Sequence, residues 1–166
     1  MTSLDPGQLA QHGAHEAAAA LSRMLRVPCT ADSFATLDPQ ALARSHAGPA
    51  VVIAFDTTGG VEGTLAVVAD DGVAAWLAGR LTGKGDVDVG PGVLAVLAEL
   101  GNIAASAFLN GTARLVKRAC LPSVPRVDHV ASRAALAAAL PGGAMPVATL
   151  VADGHAFHLA FGPRGA

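Results

Sequence analysis

The stretch PGVLAVLAELGNIAASAFLNGTARLV, residues 91–116, decides how this chain is read. A proline at the first position and apolar residues at helical spacing predict one long helix from Pro91 to Val116. On a helical wheel Val93, Val96, Leu97, Leu100, Ile103, Ala104, Ala107 and Phe108 form an apolar stripe, which must face a core. Glu99, Asn102, Ser106, Asn110 and Lys117 cluster on the opposite, outward face. Glu99 and Asn102 are surface neighbours with about 4.5 Å of axial rise between them. Ala95, Ala98 and Ala113 flank them, so the ridge is low and another protein could approach closely. Gly101 and Asn102 are both poor interior helix residues, which suggests that something other than helix stability selected them. This helix is therefore the place to look for chemistry.

Working outward, Asp5-Pro6 supplies a cap and a first helical proline, and the alanine-rich stretch to about Leu25 reads as a first helix. Its polar face carries Gln8, Gln11, His15, Ser22 and Arg26; Leu9, Ala14, Ala17, Leu21 and Met24 take the core side. Cys29 to Leu42 reads as a strand with a short helical end. Ala50 to Phe55 and Glu62 to Val68 are β-branched, apolar runs around Asp56-Thr57-Thr58-Gly59-Gly60, which together read as a hairpin. Asp70-Asp71 caps a helix from about Gly72 to Leu81, closed by Gly83. After the long helix come a strand near Cys120, a short helix at Ser132 to Leu140, and a final hairpin of Pro146 to Ala152 with His155 to Phe161.

The second half thus repeats the order of the first. Sliding the first helix by 91 positions aligns Gln8 with Glu99, Leu9 with Leu100, Gln11 with Asn102, Arg23 with Arg114 and Cys29 with Cys120. The expected organisation is one domain over residues 1–166 with duplicated halves at about 4–83 and 91–162. Few helices are placed as parallel crossovers, so the expected fold is α+β: an antiparallel sheet with two long helices packed on it.

The chain has 166 residues, 52% of them apolar, and a net charge of −2. That is enough for one well-buried core without disulfides or metals. Sparse, scattered Lys and Arg argue against a nucleic-acid surface. No uninterrupted run of eighteen apolar residues and no signal-peptide pattern is present, so the expected location is the cytoplasm, without a membrane span. Cys29 and Cys120 lack CxxC spacing and read as buried reduced thiols.

Glu99-Leu100-Gly101-Asn102-Ile103, then Ser106-Ala107-Phe108-Leu109-Asn110, then Leu121-Pro122-Ser123-Val124-Pro125, resembles the second signature of the CheC, CheX and FliY phosphatases of bacterial chemotaxis. Leu4, Ala17-Ala18 and Ala20-Leu21-Ser22-Arg23-Met24-Leu25 are similar to that family's first helix. The resemblance covers nearly the whole chain, and it implies a CheC-like fold and hydrolysis of the aspartyl phosphate on a CheY-type response regulator. Carried onto the matching positions, it makes Asn102 the residue that orients the attacking water and Glu99 the one that docks and pairs with the regulator's lysine. Phosphoryl transfer needs mainly positioning and charge stabilisation, and a neutral amide can donate to and accept from water without repelling an anionic phosphoryl group. Magnesium is expected on the regulator, and no cofactor on this chain.

The first helix departs from the signature. Gln8 cannot supply a charge for a lysine, and Gln11 carries its carboxamide on an arm one methylene longer, displacing a water by something on the order of 1 Å. His15 adds bulk where the family has a small residue. This degenerate second site is expected to be inactive or much weakened. The competing reading is a non-catalytic CheC-like module that docks a response regulator or the CheD-type deamidase that some CheC proteins bind. Oligomeric state, dimer included, stays open, as does the pathway, chemotaxis or another two-component output. A small-molecule-binding domain is a third reading, for which the sequence displays no convergent polar set.

Other signals are weaker. Asp56-Thr57-Thr58-Gly59 has one threonine too many for an aspartic-protease motif and reads as a turn. Gly79 to Lys84 is one residue short of a phosphate loop, has Gly85 where Ser or Thr is required, and ends a helix instead of opening one. His12, His15 and Glu16, or His155 and His158, have no metal-binding spacing. Trp76 reads as a core or subunit-contact residue.

Overall fold

The computed structural model describes residues 4–85 and 88–164. Its elements are α1 (Pro6–Leu25), β1 (Cys29–Leu37), α2 (Pro39–Arg44), β2 (Ala50–Gly59), β3 (Gly63–Asp70), α3 (Asp71–Thr82), α4 (Pro91–Val116), β4 (Cys120–Pro122), β5 (Arg126–Val130), α5 (Arg133–Ala139), β6 (Met145–Ala152) and β7 (His155–Pro163). The seven strands form one sheet in the order β1-β6-β7-β3-β2-β4, with β5 also paired to β2, and every pairing is antiparallel. The fold is α+β, as the order of elements implies.

Both faces of the sheet are covered. Val51, Ile53, Phe55, Leu65, Val67, Leu150, Leu159 and Phe161 face α1, α3 and α4; Val52, Ala54, Ala66, Val68, Val147 and Ala160 face the short helices α2 and α5. Two-sided burial explains why β2 and β3 read as unbroken apolar runs and not as alternating ones. The layer formed by α2 and α5 lies beyond the expectation of two long helices on a sheet.

The pairing is symmetric under exchange of the two halves. β1 pairs with β6 as β5 and β4 pair with β2; β2 and β3 form a hairpin as β6 and β7 do; β3 meets β7 at the centre, with Ala66 opposite Ala160. Helix α3 has no counterpart after β7 among the described residues. Asp56 to Gly59 belong to β2 and not to a turn: Thr57 pairs with Gly63 on one side and Pro122 on the other. Gly59, at φ +97°, then lets the chain leave the strand against the Ala119 carbonyl, where a Cβ would come within 2.2 Å.

Three helices start on a side-chain cap, and the expected cap of α3 is not made. Asp5 accepts a bond from the Gln8 N–H (3.2 Å), Asp38 from Ala41 (2.7 Å) and Ser132 from Ala135 (3.1 Å). Asp70 precedes α3 without a side-chain cap bond, because its carboxylate is turned to His46. Cys29 and Cys120 are free and buried, and burial, with Asp32 beside it, pushes the Cys29 thiol up to about 11.

An 18-residue window of α4 reaches a mean hydropathy of 1.7 with few charges, so by length and composition it could cross a bilayer, although no unbroken apolar run is present. Its apolar residues serve another purpose here: they pack on α1, α3, β2 and β4.

Candidate active site on helix α4

Residues 97, 100, 101, 104, 105 and 108 of α4 are buried, and Glu99, Asn102, Ser106 and Asn110 are exposed on the other side. Glu99 and Asn102 thus lie one turn apart on the open face of a continuous 26-residue helix. Neither side chain forms a hydrogen bond or ion pair among the described residues. Several other carboxylates do have partners: Glu16 pairs with Arg114 (3.0 Å), Asp56 pairs with Arg126 (3.0 Å) and Asp71 is hydrogen-bonded to His129 (2.9 Å). A free carboxylate and a free carboxamide side by side can receive one cation and hold one water.

Ile103 departs from the expected apolar stripe. It is 39% exposed, placing a branched apolar side chain four residues from Glu99, at the edge of the polar face. The wheel position explains this: Ile103 lies roughly 120° from the line through Leu97 and Phe108, at the margin of the buried sector.

Gly101 has a packing explanation that the sequence reading assigned to chemistry. A Cβ there would lie 2.7 Å from Ile53 Cγ2 and 3.2 Å from Phe55 Cζ, so the glycine lets α4 settle onto β2. Gly13 does the same between helices, since its Cβ would fall 2.6 Å from the Phe108 ring, and Gly111 makes room for Glu16. Asn102 has no such packing role, so it alone keeps the argument that helix stability did not choose it.

The Leu121 to Pro125 segment follows α4 and packs beside β2. β4 pairs with Thr57 to Gly59, and Ser123 is tied to β2 twice: its Oγ accepts from the Asp56 N–H (2.9 Å) and its own N–H donates to the Asp56 carbonyl (2.8 Å). The tie leaves Leu121 63% and Val124 82% exposed.

Gln8 and Gln11 occupy the corresponding outward positions of α1, and both are exposed. His15 is held against Phe34 of β1, ring centroids 5.4 Å apart. His12 faces Gly111 and Glu16 is taken by Arg114, so these three polar residues do not converge. Among the described residues no group of three or more His, Cys, Asp or Glu is arranged to hold a metal ion. Trp76 is partly buried and stacks on His155 at 4.1 Å.

One polar cluster escaped the sequence reading. Buried His46 bonds through Nδ1 to Asp70 (2.8 Å) and through Nε2 to His158 Nδ1 (2.9 Å), while Arg133 donates to the His46 carbonyl (2.8 Å). Burial first, then the neighbouring His46, lowers the His158 pKa to about 4, against a smaller opposing pull from Asp70. The three residues are 24 and 112 positions apart, so no local spacing could have announced them.

The architecture has close counterparts among solved structures. FliY from Thermotoga maritima superposes with a TM-score of 0.73 at 18% identity, covering 96% of this chain and 91% of that one. The CheX–CheY–BeF3–Mg2+ complex from Borrelia burgdorferi contains a chain matching at 0.69 and 18%, with 98% and 99% covered. This chain has the CheC/CheX/FliY fold. The FliM middle domain from Vibrio alginolyticus shares the fold too, with a TM-score of 0.65 at 12% identity over 93% of this chain and 90% of that one. No protein-family profile and no curated protein sequence matches the chain. Within the CheC/CheX/FliY fold, α1 and α4 are the two long helices packed together on one sheet face, and the Glu99 and Asn102 face points away from that sheet.

Proposed function

We propose that this chain is a CheC-like phosphatase that hydrolyses the aspartyl phosphate of a CheY-type response regulator in the cytoplasm, within chemotaxis or a related two-component pathway. The observation that carries the reading is the pair Glu99 and Asn102: exposed, unengaged and one turn apart on a helix of the fold that CheX has. In this reading α4 docks on the regulator's active site. Glu99 pairs with the regulator's lysine, and the Asn102 carboxamide accepts a hydrogen bond from a water and aims its oxygen at phosphorus. The new O–P bond forms as the bond from phosphorus to the aspartyl oxygen breaks, giving phosphate and a free carboxylate, with the water's proton passing to the phosphate or solvent. Magnesium held by the regulator neutralises the phosphoryl oxygens, so no ligand set is required of this chain. An acyl phosphate already has a good leaving group, which is why a helix with two polar side chains can suffice.

The test is dephosphorylation of the phosphorylated cognate regulator. Asn102→Ala should abolish the acceleration while docking survives in part; Glu99→Ala should weaken docking as well. Equal rates for wild type and Asn102→Ala would overturn the mechanism. One observation favours a second reading, a non-catalytic module that docks a regulator or a CheD-type deamidase: the other helix presents Gln8 and Gln11 at the equivalent positions. Regulator binding by wild type with no acceleration at all would select it.

A further inference from the structure

The two symmetric halves are not equally filled. Matching the strand registers about the Ala66–Ala160 centre sets Phe55 of β2 against Ala148 of β6, and Ile53 against Pro146, because Ala54 faces Ala66 as Val147 faces Ala160. Under α4, Ile53 and Phe55 rise to meet Gly101. Under α1 the helix position equivalent to Gly101 is Ala10, and below it stand the smaller Ala148 and Pro146. The missing side-chain volume is not taken up by collapse. A cleft of about 330 Å3 remains between α1 and β1, β6 and β7, and Ala10, Pro146 and Ala148 are all in its lining.

Its chemistry is specific. The floor is aromatic and aliphatic: Phe108, Phe161 and Leu159, all essentially buried, with Phe34 at the side. The rim carries Gln8 and Gln11, whose carboxamides form no hydrogen bond among the described residues, and Thr36. Asp5 is the single charged residue of the lining, and its carboxylate is engaged by the Gln8 N–H. An apolar interior with a few neutral donor and acceptor groups at the mouth is the composition of a small-molecule pocket, and the volume lies at the lower end of the roughly 300–1,000 Å3 typical of them. An anion would meet Asp5 and no cation; a peptide would find only a short cleft closed below by buried rings.

We infer that this cleft binds a small uncharged amphiphile, its apolar body on Phe108, Phe161 and Ala148 and its hydrogen-bonding head between Gln8 and Gln11. The helix that has exchanged the glutamate and asparagine pair for two glutamines would then serve as a ligand site and not as a second hydrolytic face. The inference does not depend on the phosphatase reading.

N-phenyl-1-naphthylamine, neutral and fluorescent only in apolar surroundings, is a suitable probe. Wild type should give a saturable, blue-shifted rise in fluorescence. Ala148→Phe, which installs the ring that the other half carries, should weaken that binding at least tenfold with the thermal midpoint kept or raised. If Ala148→Phe does not fold, nitrogen-15 spectra of wild type decide instead: the side-chain amides of Gln8 and Gln11 should shift on adding the probe. No saturable signal, the same titration in a folded Ala148→Phe chain, or shifts confined to other residues would overturn the assignment. So would a dimer that dissociates on Ala148→Phe, which would give the cleft to a second copy of this chain.

Discussion

Gly101→Ala is the substitution whose sign separates helix propensity from tertiary packing. In an isolated helix the change should stabilise by up to about 1 kcal/mol, since glycine is among the poorest interior residues. In this fold the new methyl would sit 2.7 Å from Ile53 Cγ2 and 3.2 Å from Phe55 Cζ. Carbon atoms rest at about 3.5–4.0 Å, so α4 or β2 must give by roughly 1 Å. Both neighbours are buried side chains in the middle of the sheet, with exposures of 2% and 0%, and can yield only by moving the strand. Overpacking of that kind costs about 1–3 kcal/mol, which exceeds the propensity gain, leaving a net loss of about 1 kcal/mol and up to about 2. For a chain of this length that is a fall in thermal midpoint of about 2–8 °C. Gly92→Ala on the same helix is the control, because nothing lies within 4 Å of its Cβ position, and it should leave stability unchanged or slightly higher.

A double-mutant cycle sharpens the test. Ile53→Ala alone should cost about 2–5 kcal/mol through the cavity it opens. Combined with Gly101→Ala, the new methyl occupies part of that cavity, so the pair should be about 1 kcal/mol more stable than the sum of the single changes. The assay is urea unfolding of all four chains followed by circular dichroism. A Gly101→Ala chain as stable as wild type, or a coupling energy indistinguishable from zero, would show that Gly101 is not what seats α4 on β2.

Three further outcomes are expected. His158 is held at about 4 in the fold against an ordinary value near 6.5, so the unfolded chain takes up the proton first: stability is full above about pH 6.5 and falls on acidification to about pH 4, by ~3 kcal/mol, and His158→Gln should flatten that slope in thermal melts. Ser22 accepts from the Cys29 N–H (2.8 Å) and bonds the Ala18 or Cys29 carbonyl, so Ser22→Ala strands a half-buried donor and should cost about 1–3 kcal/mol in urea unfolding. Gln8→Ala with Gln11→Ala should leave regulator dephosphorylation within about twofold of wild type, and a large loss in a folded chain would show that the first helix positions water after all.

What was legible in the sequence follows the strength of the local signal. The bounds of α1 and α4 could be read because Pro6 and Pro91 mark first turns and the apolar spacing persists for many turns. β2, β3, β6 and β7 could be read because their buried stretches are runs of apolar residues between turn residues. β5 was missed: Arg126-Val127-Asp128-His129-Val130 lies at the sheet edge, half exposed, and holds only two apolar residues. The Asp56 to Gly59 stretch was misread because Asp, Thr and Gly favour turns, whereas a strand flanked on both sides by β3 and β4 overrides that preference. Exposure of Glu99 and Asn102 was legible from the wheel; the cause of Gly101, the His46 and His158 contact, and the cleft under α1 were not, because each depends on pairs brought together by the sheet.

These long-range pairs also set the height of the candidate site. Asn102 and Gly101 are adjacent in the chain and about 100° apart around α4, one buried and one exposed, so whatever moves Gly101 against Ile53 moves the Asn102 carboxamide by a similar amount. A shift of about 1 Å is enough to cost on the order of a hundredfold where a reaction depends on positioning. The glycine therefore belongs to the function through packing and not through contact with the reacting atoms. The α1 side makes the same point in reverse: Ala10 stands where Gly101 would, Ala148 where Phe55 would, and the outward residues there are Gln8 and Gln11. Seat and site differ together on that side. A helix no longer seated on a ring at that position would gain little from an asparagine whose water could not be held to within a fraction of an ångström, so restoring Gln8→Glu and Gln11→Asn without also restoring the seat should leave that face inactive toward the phosphorylated regulator. Acceleration by those two changes alone, in a chain already carrying Asn102→Ala, would refute the dependence of the site on its buried side.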